Sequence, residues 1–236
     1  MSVSENVAKV RAQLAEAAKR AKRDPEEVAL MAVTKTHLPE AIRAAHAAGL
    51  RLFGENRVQE FAGKAAAVPD LEGAEWHMIG HLQTNKAAKA VELFNAVDSV
   101  DSVKLAEKLD AAARTLGKKL NVLVEINVGG EAAKSGVAPA SRELEELLMS
   151  APRLESLEFR GLMTVPPFTD DPEQARPYFC KLRELRDAIA ARKLPAVDMR
   201  TLSMGMSHDF PVAIEEGSTC IRVGTAIFGE RITFSQ

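Results

Sequence analysis

Cysteine and long apolar runs are scarce in this sequence of 236 residues. Its only cysteines, Cys180 and Cys220, form no CxxC motif, so neither a disulfide framework nor a cysteine zinc site is expected. We interpret both as buried small apolar residues. No window approaches the roughly 18 consecutive apolar residues that a membrane-spanning helix needs. The charged N-terminus lacks the apolar segment of a secretory signal, which predicts a cytoplasmic protein without a membrane partner.

An excess of positive charge is also missing. Lys and Arg number 31 against 33 Asp and Glu, which gives a formal net charge of −2. A protein whose main partner is nucleic acid needs a basic surface, so this class is disfavoured. The sequence contains neither GxGxxG nor GxxxxGK[ST], which argues against a dinucleotide-binding open sheet and a P-loop. The hydrophobic fraction of 46% and the charged fraction of 27% are typical of globular domains.

Short apolar runs of strand length alternate with longer amphipathic runs of helix length. A leading helix is predicted over residues 4–22, within a leading segment of residues 1–24. The candidate strands that follow are residues 28–34, 50–54, 75–79, 96–100, 121–128, 158–165, 200–203 and 220–228. Strands that alternate with helices pair in parallel, because each crossover helix returns the chain in the same direction. The eight units predict an α/β fold: a single (β/α)8 TIM barrel over residues 28–229, with an extra N-terminal helix, in one domain of residues 1–236.

Lys35 ends the first candidate strand, in the segment AVTKTH. A lysine at an arbitrary position is most often simply exposed on the surface. In a TIM barrel, however, active sites are built where the strands end. An amine at that place is partly desolvated, which favours its neutral, nucleophilic form and allows it to condense with an aldehyde. Lys35 is therefore the first candidate site residue.

Two segments rich in glycine and hydroxyl residues lie at the ends of the seventh and eighth candidate strands. They are SMGMS at residues 203–207 and RVGT at residues 222–225. Phosphate sites in TIM barrels are frequently built from these two loops, where glycines expose backbone N–H groups and hydroxyls donate hydrogen bonds. Gly and Ser also favour ordinary turns, so either segment alone is weak evidence. Together the two segments predict a phosphate site.

Several further polar residues are predicted to face the barrel interior or its mouth. Arg222 shares a strand face with Gly224, and its guanidinium needs an acceptor, either a structural carboxylate such as Glu125 or a ring nitrogen of a ligand. The same period of two places Glu125 and Asn127 on one face of the fifth strand, in a lined pocket or in a buried polar network. Asn56, after the second strand, is another pocket candidate.

His77 and His81 are four residues apart and raise a metal hypothesis. Together with Glu125 they would define a metal-dependent barrel hydrolase. The pair spans a candidate strand and its loop, and no nearby cysteine or paired carboxylate completes a coordination shell. We therefore predict no metal site and expect His81 to border the mouth of the barrel.

Six segments in consecutive order resemble the pyridoxal phosphate homeostasis protein family. They are AVTKT (32–36), FGEN (53–56), WHMIGHLQTNK (76–86), GLMT (161–164), LSMGMSHD (202–209) and IRVGTAIFG (221–229). The resemblance covers nearly the whole chain. It implies the fold of the N-terminal barrel of alanine racemase, binding of pyridoxal 5′-phosphate (PLP), and handling of this cofactor without an established reaction.

The resemblance also implies roles for individual residues. Lys35 would hold PLP as a Schiff base, and Arg222 would face the pyridine nitrogen. The implied phosphate ligands are Ser203, Gly205, Gly224 and Thr225. A cation opposite the pyridine nitrogen disfavours its protonation and so weakens the ring as an electron sink. Thr34 and His37 stand where the family commonly has serine and lysine, so a second lysine contact at position 37 is not implied.

Two PLP functions stand beside the metal hypothesis. The first is a monomeric protein that stores, buffers or delivers PLP, with PLP and apo forms of PLP-dependent enzymes as its partners. The second is a weak PLP-dependent amino-acid racemase or lyase. Alanine racemase takes its second catalytic base, a tyrosine, across a dimer from an additional C-terminal domain. This chain ends at Gln236, and its only tyrosine, Tyr178, lies in a predicted outer helix, so we expect the first function.

Overall fold

Eight parallel strands close a barrel in chain order, with the first strand paired to both the second and the last. The computed structural model describes residues 1–131 and 134–229. The strands are β1 (Ala29–Val33), β2 (Leu52–Glu55), β3 (Glu75–Met78), β4 (Ala96–Val100), β5 (Leu120–Glu125), β6 (Leu157–Met163), β7 (Val197–Ser203) and β8 (Cys220–Val223). The prediction of an α/β TIM barrel is confirmed. The single domain predicted over residues 1–236 stays a prediction, and its residues 132–133 and 230–236 lie outside the described residues.

Helices connect the strands and cover the outside of the barrel. They are α1 (Val3–Arg20), α2 (Pro39–Ala47), α3 (Val58–Ala65), α4 (Ala87–Leu93), α5 (Val103–Thr115), α6 (Arg142–Ser150), α7 (Arg176–Ala191), α8 (Phe210–Glu215) and α9 (Thr225–Phe228). Local signals explain several starts. Ser2 and Glu5 form a capping box at α1, and the hydroxyl of Ser141 accepts the backbone N–H of Leu144 at α6. Within the described ranges, no helix is both long and apolar enough to cross a bilayer.

The extra N-terminal helix is present, as predicted, and packs against α2, α8 and α9. Its buried stripe includes Val7, Val10 and Leu14, which are spaced at three and four residues. The Asn6 side chain adds a polar contact, because its Nδ2 donates to the Ile227 carbonyl oxygen at 2.9 Å. The helix therefore covers the barrel beside the segment that follows β8.

Two strands end three or more residues earlier than the sequence pattern predicts. The predicted strand 220–228 stops at Val223, and Thr225–Phe228 forms α9. The apolar residues Ala226, Ile227 and Phe228 fit a helix as well as a strand, because a short apolar run carries no clear period. The predicted strand 121–128 stops at Glu125, whose carbonyl oxygen accepts the backbone N–H of Val137.

The two cysteines differ in their surroundings. Cys220 is buried, as predicted, whereas Cys180 is only half-buried on α7. Its thiol donates to Glu216 Oε2 at 3.0 Å, within a group of charged residues between α7 and α8. The prediction of a buried apolar environment is therefore wrong for Cys180. This residue lies at the edge of the contact between α7 and α8, where side chains need not be apolar.

Candidate functional site

A cavity of about 570 Å³ opens at the carboxyl ends of the barrel strands. Of the seven residues predicted to bind a cofactor, the cavity is lined by Lys35, Asn56, Arg222, Gly224 and Thr225. Residues distant in sequence meet here because parallel strands all end at the same rim. Ser203 and Gly205 are not among the lining residues. The volume lies in the range of small-molecule and cofactor sites.

Lys35 lies two residues beyond the end of β1. Thr34 before it is fully buried, whereas Lys35 itself is half-buried and faces the cavity. His37 also lines the cavity and packs its ring on Phe228 of α9, with ring centroids 4.5 Å apart. The segment after β1 is thus in contact with the segment after β8. An amine and a potential anion-binding loop therefore share one wall of the site.

Arg222 is 4% exposed and points from β8 towards the cavity floor. Its Nη1 donates to Ser203 Oγ at 2.7 Å, and its Nη2 donates to the Thr164 carbonyl oxygen at 2.6 Å. Burial lowers the pKa of the Arg222 guanidinium, and nearby carboxylates including Glu125 oppose this effect. The structural acceptors are therefore a hydroxyl and a carbonyl. The alternative of a direct ion pair with Glu125 is wrong.

Ser203 and Gly205 do not line the cavity, but both accept hydrogen bonds from Arg222, which does. Ser203 is fully buried, and its hydroxyl accepts the Arg222 hydrogen bond. The Gly205 carbonyl oxygen accepts the Arg222 backbone N–H at 2.9 Å. A Cβ at Gly205, where φ is +95°, would lie 2.6 Å from Ala213 Cβ, so glycine allows α8 to pack closely here. Both residues orient Arg222 and the loop after β7.

Ser207 is a lining residue that lies in the predicted phosphate segment 203–207 but is not among the seven individual candidates. Its Oγ accepts the backbone N–H of Gly224 at 3.3 Å and that of Ala226 at 3.2 Å. Those two N–H groups point at the hydroxyl of Ser207, a lining residue, and an anion at that place could accept them instead. A signal was present, because Ser207 is the second hydroxyl residue of SMGMS and lies beyond the end of β7.

Glu125 and Asn127, which were predicted to share the inward face of β5, lie in different surroundings because the strand ends at Glu125. Glu125 lines the cavity and is 7% exposed, and its Oε1 accepts the Ser135 hydroxyl at 3.3 Å. Burial raises the pKa of Glu125, and the negative charge of Asp101 adds to the rise. Asn127 instead donates from Nδ2 to the Glu131 carbonyl oxygen at 2.9 Å and does not line the cavity. The period of two fails because β5 ends at Glu125.

The two histidines of the metal hypothesis have separate partners. His77 Nδ1 lies 3.1 Å from Asp98 Oδ1, and His81 Nδ1 lies 3.3 Å from Asp101 Oδ2. Burial alone would lower the pKa of His77, but Asp98 outweighs it and the pKa is raised. His81 borders the cavity, whereas His77 does not line it. In the part of the chain that the structure describes, no three His, Cys, Asp or Glu side chains are grouped to hold a metal ion.

Comparisons with known proteins agree on one fold. A family model described as alanine racemase, N-terminal domain, matches residues 6–232. Alanine racemase of Streptomyces coelicolor has the same fold, with a TM-score of 0.69 at 23% identity over 95% of this chain and 58% of that chain. The chain is thus a barrel protein of the alanine racemase N-terminal class.

More similar relatives define the family more narrowly. Pyridoxal phosphate homeostasis proteins of Aquifex aeolicus and Pseudomonas aeruginosa are 44% and 45% identical, over 98% of this chain and 99% and 96% of the relatives. PipY of Synechococcus elongatus, solved with PLP bound, has a TM-score of 0.84 at 39% identity over 97% of this chain and 100% of that chain. The chain belongs to the pyridoxal phosphate homeostasis protein family.

Proposed function

We propose that this protein binds PLP, holds it through Lys35 as a Schiff base, and stores, buffers or delivers it in the cytoplasm without a reaction of its own. One observation carries the proposal. The cavity brings together Lys35, the buried guanidinium of Arg222 and the hydroxyl of Ser207, at which the backbone N–H groups of Gly224 and Ala226 point. The solved complex of the relative PipY with PLP supports this choice of ligand.

The rim after β8 fits a phosphate group. Gly224 and Ala226 present backbone N–H groups, and Ser207 adds a hydroxyl that can donate once it no longer accepts from them. The side chain of Thr225 lies at the same rim and lines the cavity. We propose these four residues as the phosphate contacts. In this proposal Ser203 and Gly205 do not contact the phosphate. They act instead on the orientation of Arg222 and on the packing of α8.

Lys35 supplies the covalent attachment. When bound, PLP offers an aldehyde that condenses with an amine to form a C=N bond, and the carbonyl oxygen leaves as water with both amine protons. Lys35 condenses in its neutral form, because only the unprotonated amine has a lone pair that can attack the aldehyde. Because the condensation reverses with water or with another amine, the attachment is suited to holding and releasing the cofactor.

Arg222 is proposed to face the pyridine nitrogen of the cofactor. Its Nη1 and Nη2 donate to Ser203 and Thr164, which fix the plane of the guanidinium. A fixed cation at that place disfavours protonation of the ring nitrogen, so carbanion chemistry on the ring is weakened. This supports a holding role over catalysis. Apo forms of PLP-dependent enzymes are the proposed recipients.

The racemase or lyase alternative requires an acid and a base on opposite faces of a substrate. Tyr178, the single tyrosine, packs against the core from α7 and does not line the cavity. Incubation of the PLP-loaded protein with alanine or serine, followed by chiral analysis, tests this alternative. We expect no turnover. Enantiomer exchange at about 1 s⁻¹ or faster would contradict a holding role.

The first experiment is the visible absorbance spectrum of the protein before and after borohydride reduction. A Schiff base with Lys35 is expected to absorb at roughly 420 nm, and reduction fixes a pyridoxyl group on the lysine. Peptide mass spectrometry then identifies the modified residue. Lys134 also lines the cavity and is the matched competitor amine. We expect modification of Lys35 in the wild type, no band at this wavelength in Lys35→Ala, and an unchanged band in Lys134→Ala. Modification of Lys134 alone would contradict the proposal.

A further inference from the structure

The backbone on both sides of Lys35 is held by contacts that lie outside the cavity. Thr36, directly after it, has a φ of +66°, in the left-handed region that β-branched residues rarely occupy. Such a conformation is unfavourable and persists only where the surroundings enforce it. The backbone N–H of Thr36 donates to Glu60 Oε1 at 2.5 Å. Glu60 of α3 is therefore a direct restraint on the residue after Lys35.

Lys64, one turn further along α3, joins this restraint to the residue before Lys35. Its Nζ donates to Glu60 Oε1 at 2.8 Å, to Glu55 Oε1 at 2.7 Å and to the Thr34 carbonyl oxygen at 2.9 Å. An ammonium group has three N–H donors, so these three bonds use all of them. We refer to Glu55, Glu60 and Lys64 as the Lys64 triad.

Glu55 completes the arrangement from the end of β2. Its side chain is fully buried, and its Oε1 also accepts the Thr34 hydroxyl at 2.6 Å. Burial raises the pKa of Glu55, and the hydrogen bonds from Lys64 and Thr34 oppose the rise. Burial alone would also raise the pKa of Glu60, but hydrogen bonds from Lys64 and from the Thr36 backbone outweigh it, so this pKa is lowered. The carboxyl groups of Glu55 and Glu60 thus accept hydrogen bonds from the same ammonium group, that of Lys64.

The place of the triad in the fold distinguishes it from an ordinary surface ion pair. The Lys64 side chain is 11% exposed, and none of the three residues lines the cavity. Ion pairs on the exposed surface contribute little to stability and do little to fix the backbone. Removal of Lys64 would leave Glu55 buried beside Glu60 without their shared cation, and both contacts to the Lys35 segment would weaken.

We propose that Lys64 is a positioning residue for Lys35: through Glu55 and Glu60 it fixes the backbone of Thr34 and Thr36, so that the intervening amine is presented to the cavity. The inference rests on the proposed function of Lys35. It assigns no cofactor contact to the triad. The triad acts on the attachment bond, and the phosphate contacts after β7 and β8 are independent of it.

The test compares Lys64→Met with Lys89→Met, a lysine of α4 that pairs with Glu92 on the surface. Three quantities are measured: the PLP dissociation constant, the dissociation constant of pyridoxamine 5′-phosphate, which lacks the aldehyde, and hydrogen exchange of the Thr36 amide in PLP-free protein. In Lys64→Met we expect PLP affinity to fall about tenfold or more, because small misplacements of a reacting group have large effects. Thr36 exchange should accelerate, and pyridoxamine phosphate binding should stay unchanged. Lys89→Met should match the wild type throughout.

A second pair of variants keeps the test valid if Lys64→Met fails to fold. Glu60→Gln retains an oxygen that can accept the Thr36 N–H, whereas Glu60→Leu removes it. We expect Glu60→Leu to reproduce the loss of PLP affinity and the faster Thr36 exchange, and Glu60→Gln to restore most of both. Equal behaviour of the two Glu60 variants would overturn the inference.

The outcomes separate this inference from the proposed function. Wild-type PLP affinity and wild-type Thr36 exchange in Lys64→Met would overturn the positioning role while Lys35 attachment stands. An equal loss of PLP and pyridoxamine phosphate binding would also overturn it, because that result indicates general damage to the site. If the wild type forms no bond with Lys35, the proposed function fails, and the positioning role of Lys64 toward Lys35 is overturned with it.

Discussion

Gly161 in β6 is a position where a single methyl group decides whether two strands can pair. The register between β6 and β7 shifts at this residue, and a Cβ built on Gly161 would lie 1.9 Å from the Thr201 carbonyl oxygen. No side-chain rotation relieves a clash with backbone, so the strands would have to separate. Glycines of this kind differ from Gly63 in α3, where a Cβ meets nothing within 4 Å.

We expect Gly161→Ala to lower the free energy of unfolding by about 3 kcal/mol, the upper range for overpacked sites. Gly63→Ala is the control and should raise it by about 0.5–1 kcal/mol, because alanine is the better helix former. Chemical denaturation followed by circular dichroism measures both. Similar effects of the two variants would show that β6 and β7 tolerate the added methyl group.

A cluster of charged residues joins three helices on the outside of the barrel. Arg176 at the start of α7 contacts Glu215 and Glu216 at the end of α8, both at 2.7 Å. Arg20 at the end of α1 also contacts Glu215 at 2.7 Å, and Arg183 of α7 contacts Glu216. The cluster ties the ends of α1 and α8 to α7, close to the loop that precedes β8.

The stability contributed by this cluster should depend on acid pH. Burial alone would raise the pKa of Glu216, but hydrogen bonds from Cys180, Arg176 and Arg183 hold it below the ordinary value of 4.5. Since the folded pKa is lower than the unfolded pKa, the contribution is complete above about pH 4.5 and disappears as the pH falls through the folded pKa. We expect Glu216→Gln to be less stable than the wild type at pH 7, with a difference that narrows below pH 4.

Thermal unfolding at several pH values measures this dependence. Glu16→Gln, on the exposed side of α1, is the control and should follow the wild-type curve. A constant difference between Glu216→Gln and the wild type from pH 7 to pH 3 would mean that the cluster stabilises the fold through packing and not through charge.

The outer layer of the whole barrel is completed by α1. This helix packs beside α2, α8 and α9 on the outside of the barrel. Helices α8 and α9 are too short to cover the strands alone. Leu14 at the centre of its buried stripe is 6% exposed. The barrel thus depends on a helix that precedes its first strand. That the protein is a monomer stays a prediction.

We expect Leu14→Ala to lower the free energy of unfolding by about 2–5 kcal/mol, as truncation of a buried leucine does. Leu116→Ala is the matched control, because Leu116 is 49% exposed, and its effect should stay within about 0.5 kcal/mol. Urea denaturation at neutral pH measures both variants. Equal effects would indicate that α1 is not part of the cooperative fold.

Much of the fold and part of the site could be predicted because the signals are local. The alternation of strand-length and helix-length runs predicts parallel strands, and the closure of eight units is confirmed. The positions of Lys35 and Gly224 at strand ends predict that both belong to the site, and both line the cavity. These features follow from spacing along the chain, which requires no knowledge of distant partners.

The tertiary structure alone decided which distant groups meet. Arg222 donates hydrogen bonds to Ser203 and Thr164, which are 19 and 58 residues away, so Ser203 supports the guanidinium, whereas Ser207 lines the cavity. The contacts of the Lys64 triad could not be predicted from the sequence either, because the hydrogen bond from Lys64 to Thr34 spans 30 residues. Periodicity determines which face of an element is buried. The acceptor that a buried donor finds depends on how the elements pack, and that is a property of the closed barrel.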